Sequence, residues 1–326
     1  MNTMNHKLSL SRRSVVRAAL SAAALSAAAP LFAQSRPRQL RIGFQKFNTL
    51  NILKGTGKLE KALAPAGVQV EWKEFAGGSQ VAEALTVGAI DVGHAADAIG
   101  IFQQASGKGL HYLAAESPYP GGLGLLVPRA SAIQSVRDLK GRKIAIGRGY
   151  NIQYALIRAL ESAGLGWTDI EPVYLVTAAD HIAAYQSGRV DAVGLWDPFL
   201  ASAQLGTDSR LLFDGKGYTT NRTYHFALPA TAQAQEANLR VLFSELKSAN
   251  QWANSNPRPL VDLLAPQLGV DPKVLALATE RRQYGLVALS PEIAADQQRL
   301  GDAFASLKLI PAPVQVGDLF SKLSLV

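Results

Sequence analysis

Cysteine is absent from all 326 residues, and with it go disulfides, thiolate metal sites and a lipidated cysteine. Stability therefore rests on packing alone. Charge is also thin, at 18% Asp, Glu, Lys and Arg against 48% hydrophobic residues, which is a globular and not a disordered composition. No apolar run reaches the roughly 20 residues of large side chains that a membrane span needs. The catalytic signatures HExxH, GxSxG and the Walker A loop are missing, and Gly147-Arg148-Gly149 lacks the third glycine of a dinucleotide loop. The five histidines, at 6, 94, 111, 181 and 225, show no metal-ligand spacing. These absences weigh against an enzyme and lead us to expect no metal and no cofactor. Nor is there a basic block interleaved with aromatics, so nucleic acid is not expected as a partner.

What is present begins with an address. Ser11-Arg12-Arg13-Ser14-Val15-Val16 is a twin-arginine pattern, and an alanine-rich run from Ala18 to Ala29 follows it. We expect a twin-arginine signal peptide over residues 1–33, cleaved after Ala33 or alternatively after Ser35, and a mature protein soluble in a periplasm. The signal carries Lys7, Arg12, Arg13 and Arg17 and no acid, so about half of the formal charge of +8 leaves with it. The mild remaining excess is compatible with a small anionic ligand.

Two segments repeat one hundred positions apart: Gly88-Ala89-Ile90-Asp91-Val92-Gly93 and Gly188-Arg189-Val190-Asp191-Ala192-Val193-Gly194. Each closes a helical pattern with glycine and opens a short apolar strand. Strands are expected at 40–44, 68–75 and 90–93 with helices at 50–63 and from 79, and again at 143–146, 172–176 and 190–195 with helices at 152–163 and 181–186. Val81, Ala84, Leu85 and Val87 form the apolar stripe of the helix after Gly77-Gly78-Ser79. The two series match element for element, which predicts an α/β chain of two similar lobes, each a mostly parallel sheet flanked by helices, with a ligand cleft between them. Leu123–Val127 and Tyr224–Leu228 are the candidates for the crossings. We expect a first lobe over 36–125, a second over 126–224, and a return to the first over 225–326 through helices at 239–253, 258–268 and 291–307.

The pattern offers anion binding more than catalysis. Helix starts present backbone N–H groups and a favourable dipole to an anion, and Ser79 and Gly149-Tyr150-Asn151 stand where a strand gives way to a helix. Four charge-assisted bonds at roughly 1.5–3 kcal/mol each would suffice for micromolar affinity. Trp196 at a strand end suits the wall of a pocket. His94 and His225 fall at strand ends or crossings. Asp91 and Asp191 are assigned to architecture, because they repeat.

Arg41 to Lys46, Phe75 to Gly93, Asp138 to Lys143, Asp180 through Asp191 to Phe199, and Leu309-Ile310-Pro311 together resemble the periplasmic substrate-binding proteins of aliphatic sulfonate ABC importers, within the nitrate, sulfonate and taurine group. The resemblance covers essentially the whole mature chain. It implies a type II, two-lobed periplasmic binding protein fold that closes on a small sulfonate-like anion and delivers it, as a monomer, to a membrane permease. Gln45, Gly78, Asp97, Trp196, Asp197 and Arg281 match the family's ligand-binding segments. With Ser79, Tyr150, Asn151 and His225 they make up the expected site. Tyr150-Asn151-Ile152 replaces a serine-rich loop, and Ala95-Ala96 precedes Asp97 without a hydroxyl. These departures favour a larger or aromatic sulfonate or a sulfate ester over a simple alkanesulfonate. Taurine, nitrate or an aromatic carboxylate remain as alternative cargo, and an enzyme on the same scaffold as a rival whose hallmark, a cysteine-rich motif, is missing.

Overall fold

The computed structural model describes residues 38–326, so the expected export signal lies outside the described residues. The first series runs β1 (Gln39–Phe44), α1 (Thr49–Thr56), α2 (Lys58–Leu63), β2 (Gln69–Glu74), α3 (Gly78–Thr86), β3 (Val92–Ala96), α4 (Asp97–Ala105) and β4 (His111–Glu116). Alternation in β1 buries Leu40 and Ile42 completely and Phe44 nearly so. The single helix expected over 50–63 is two, because Gly57 takes a left-handed conformation at φ 61°. Three further expectations change here. Gly77, not Ser79, precedes the first residue of α3, and Val87 is exposed beyond the end of that helix. The third strand starts two residues late, so His94, Ala95 and Ala96 are strand and Asp97 opens α4.

The second series is β5 (Leu123–Pro128), β6 (Lys143–Ile146), α5 (Asn151–Ser162), β7 (Glu171–Tyr174), α6 (Ala178–Gln186), β8 (Ala192–Trp196), α7 (Phe199–Gly206) and β9 (Ser209–Asp214). The chain then returns through β10 (Thr223–Ala227), α8 (Pro229–Ala234), α9 (Glu236–Ser255), α10 (Pro257–Leu268), α11 (Pro272–Glu280), β11 (Leu286–Val287) and α12 (Pro291–Ser306).

Two mixed sheets result, ordered β11-β4-β10-β3-β1-β2 and β7-β6-β8-β5-β9. Read from their β2 and β7 edges, the first five strands of the two orders correspond, with a reversed strand, β10 or β5, in fourth place in each; β11, antiparallel to β4, is an additional edge strand of the larger sheet. Both reversed strands pair antiparallel on both sides. They are interior sheet strands, so the expectation that 123–127 and 224–228 are themselves the crossings is corrected. The chain changes sheet in the segments just before them, 117–122 and 215–222.

The repeated aspartates explain the match. Asp91 accepts the Arg41 backbone N–H at 2.7 Å, and Asp191 accepts that of Lys143 at 2.8 Å. The backbone of each aspartate also donates to the same partner residue's carbonyl at 2.8 Å. Each aspartate therefore pins the entry of one parallel strand, β3 or β8, against its neighbour, β1 or β6. Arg41 adds an ion pair to Asp91 at 2.6 Å, the charge-assisted kind that is shorter and stronger than a neutral bond. The C-terminal helices cover the six-stranded sheet, where Leu239, Leu242, Phe243 and Leu246 of α9 and Leu260 and Leu264 of α10 join Leu40, Ile42 and Leu50 in one core.

Candidate functional site

Topology alone locates the site. β4 runs parallel to β3, since β10 is antiparallel to both, and its C-terminal end leads straight into the crossing at 117–122. β9 likewise ends at the second crossing. The C-terminal edges of both sheets therefore face the crossing segments, and the starts of α1, α3, α4, α5, α6 and α7 all lie at those edges. In open α/β sheets this is where ligands bind.

Contacts between the two sheets' elements close this cleft. Asn151 at the start of α5 donates to Asn221 Oδ1 at 2.8 Å, and Asn221 donates to the Tyr119 carbonyl at 2.7 Å. Tyr154 of α5 sinks into the core formed by α3, α4 and α12. Gly149 sits so close to the Phe102 ring that a Cβ there would lie 2.5 Å from it. Asp197 accepts the Tyr119 hydroxyl at 2.5 Å, pairs with Arg281 at 3.3 Å, and also accepts the Ala201 N–H at 3.1 Å. Burial pushes the Asp197 carboxyl up to about 6, against the pull of Arg281 and Tyr119. Arg281 reaches Gln204 of α7 as well. The sequence placed Asp197 and Arg281 separately in the site; the structure spends their charges on each other.

Trp196 ends β8 within an aromatic group, its ring 5.4 Å from Tyr150, 5.9 Å from His181 and 5.7 Å from Phe199. The Tyr150 hydroxyl donates to the Val176 carbonyl at 3.0 Å. Asp97 is 3% exposed, and its carboxylate accepts the adjacent Ala98 N–H at 2.7 Å. Burial raises it to about 7; the Ala98 bond opposes the rise and nearby Asp296 adds to it. Gln297 of α12 donates to the Asp97 carbonyl at 2.6 Å. Gln45 is half-buried directly after β1, and Gly78 is small because a Cβ would meet Ile99 at 2.7 Å. Ser79 is exposed one residue into α3, with Gly77 in the cap position before the helix.

His225 is fully buried, part of a cluster that the sequence did not suggest. Glu116, at the end of β4, faces His94 at 3.2 Å, His225 at 3.3 Å and Arg282 at 2.8 Å. Thr49 donates to it from the start of α1, and Thr223 donates at 3.0 Å. Burial pushes the Glu116 carboxyl up, but the imidazoles of His94 and His225 and the Arg282 guanidinium outweigh it and hold the acid well below the usual carboxylate range. Arg282 also lies 5.0 Å from the centres of the Tyr119 and Tyr284 rings, a cation–π distance. Histidines 131 residues apart gave no spacing signal, and Glu116 was one of 25 acids. Arg282 follows the expected site residue Arg281 directly, and its side chain is the more deeply buried of the two.

Residues 38–255 match the family model for the substrate-binding domain of an ABC-type glycine betaine transport system. Over 305 residues the chain is 34% identical to an aliphatic sulfonates-binding protein of Escherichia coli (strain K12), covering 93% of this chain and 95% of that one. The crystal structure of the periplasmic aliphatic sulphonate binding protein SsuA from Escherichia coli superposes with a TM-score of 0.84 at 34% identity over 89% of this chain and 94% of that one. The alkanesulfonate-binding protein SsuA from Xanthomonas axonopodis pv. citri, bound to MOPS, follows at 0.80 and 32% over 88% and 99%. The desulfurization enzyme DszB shares the fold at a TM-score of 0.66 and 18% identity, a likeness of fold alone. A family model matched over residues 38–255, a third of the residues in common over nearly the whole chain and a TM-score of 0.84 have one explanation: the chain belongs to the family of substrate-binding proteins of ABC importers that includes these sulfonate binders.

Proposed function

We propose that the chain captures a sulfonate-bearing organic anion in the cleft, closes on it, and delivers it to the membrane permease of an ABC importer without altering it chemically. The observation that carries this reading is the opposed pair of C-terminal sheet edges, each lined with helix starts and walled on one side by Trp196 and Tyr150. The helix starts suit an oxyanion head and the aromatic wall suits an organic tail. Gln45, Gly78, Asp97, Tyr150 and Asn151 surround the ligand in this reading. Asp197, Arg281 and Tyr119 act as a latch between the halves, which is a different role from direct contact. The lobes divide at the segments 117–122 and 215–222, whose flexing opens the cleft. Release in a periplasm and action as a monomer complete the proposal.

Capture without catalysis fits a cleft that lacks cysteine and is walled by aromatics and committed ion pairs. Calorimetry and thermal unfolding with alkane- and arylsulfonates, chain-matched carboxylates and nitrate test it. A sulfonate at a hundred times its Kd stabilises the protein by about 2.7 kcal/mol. Trp196→Ala weakens that sulfonate tenfold or more, or ~1.4 kcal/mol. A chain that binds the carboxylate or nitrate and no sulfonate refutes the cargo.

A further inference from the structure

We propose that His94, Glu116 and His225 form a binding site for a divalent transition-metal ion of the zinc type. This goes beyond solute capture, and its test needs no sulfonate. The three side chains come from adjacent strands β3, β4 and β10, with His225 directly opposite His94 in the ladder. One ligand atom from each lies within 4.8 Å of the others. The two Nε2 atoms stand 3.2 and 3.3 Å from the same oxygen, Glu116 Oε1. In a tetrahedral zinc site with bonds of about 2.0–2.1 Å, neighbouring ligand atoms are ~3.3 Å apart. The spacing is that of an edge of such a site.

A purely hydrogen-bonded network accounts for less. Both Nε2 atoms are at the right distance from Glu116, yet neither makes a hydrogen bond of acceptable direction, and His225 Nδ1 has none either. Orphaned polar atoms at such depth are destabilising, because nothing replaces the water hydrogen bonds they lost. An ion between the imidazoles and the carboxylate would take the lone pairs of both Nε2 atoms and remove two of these orphans. The rest of the cluster then acts as an outer shell. Arg282 and Thr223 hold Glu116 Oε2 at 2.8 and 3.0 Å, while Oε1, which also accepts the Thr49 hydroxyl, is turned towards the histidines. Arg282 also sets a limit, since a guanidinium on the far oxygen opposes a second cation. The site is therefore an exchangeable one, and imidazole with carboxylate suits zinc, cobalt or nickel. Its position matters for closure. Glu116 is the last residue before one crossing and His225 follows the other, so a bound ion ties the roots of both.

The full exported chain, produced without a polyhistidine tag and stripped with a chelator, is dialysed against Zn2+ and its metal content measured. Co2+ serves as a spectroscopic substitute. One equivalent of zinc per chain is expected, with the intense visible bands of four-coordinate cobalt. His94→Gln and His225→Gln, checked for folding by circular dichroism and by melting in chelator, are expected to retain less than a tenth of that and to lose the bands. Retention of less than a tenth of an equivalent by the unaltered chain overturns the proposal. So does equal retention by folded His94→Gln, which would place the metal elsewhere.

Discussion

Asp97 shows how much one residue's surroundings decide. It opens a helix, where a carboxylate is ordinarily favoured, yet it is almost wholly buried with another acid, Asp296, nearby. Burial wins, and the pKa rises from 3.8 to about 7. The folded state thus holds a proton that the unfolded chain releases near pH 4. By linkage, stability contributed by this group is highest below pH 4 and falls as pH rises to about 7, by at most on the order of 4 kcal/mol. Asp97→Asn is expected to remove this slope. Urea unfolding at pH 4.5 and 8 checks it: the loss of stability between the two should be smaller in the variant, and equal losses would show that Asp97 does not ionise as described.

Glycines set where the elements end. Gly57 splits the first helical region at φ 61°, and a Cβ there would meet nothing within 4 Å. Gly57→Ala is therefore a test of backbone strain alone. A left-handed alanine costs ~1–2 kcal/mol, which lowers Tm by a few degrees. Calorimetry with the cognate sulfonate should show no change in affinity, because α1 and α2 still pack through Leu50, Leu53, Leu59 and Leu63. A Tm equal to that of the unaltered chain would mean that the helix simply continues through position 57.

At the scale of the whole molecule, closure depends on close approach of elements from the two sheets. Gly149 combines φ 74° with a Phe102 ring that leaves no room for a Cβ. Gly149→Ala should therefore bias the protein towards the open form. Apparent affinity falls in proportion to the closed fraction, so a tenfold rise in Kd corresponds to ~1.4 kcal/mol against closure. Titration calorimetry reads this directly, and an unchanged Kd would separate ligand capture from this contact.

The duplicated strand–helix series, its two glycine–aspartate landmarks and the architectural role of Asp91 and Asp191 were legible from residue pattern, because period and turn chemistry are local. The resemblance to sulfonate binders was legible for a different reason, as it rests on whole segments such as Trp196-Asp197-Pro198. Other features were not. β4 is hidden because His111–Glu116 is buried along nearly its whole length and shows no alternation, and α4 because it starts at Asp97 directly after β3, with no intervening loop to announce it. The reversed strands looked like connectors, because pairing partners a hundred residues away decide what an apolar run becomes. Ser79 had the composition of a cap but not its position. The sequence by itself determined which local units exist and that they come twice. Only the tertiary structure decided that Asp197 and Arg281 neutralise each other, and that two histidines 131 residues apart meet at one carboxylate, since charge pairing and ligand geometry depend on distances that chain order does not contain.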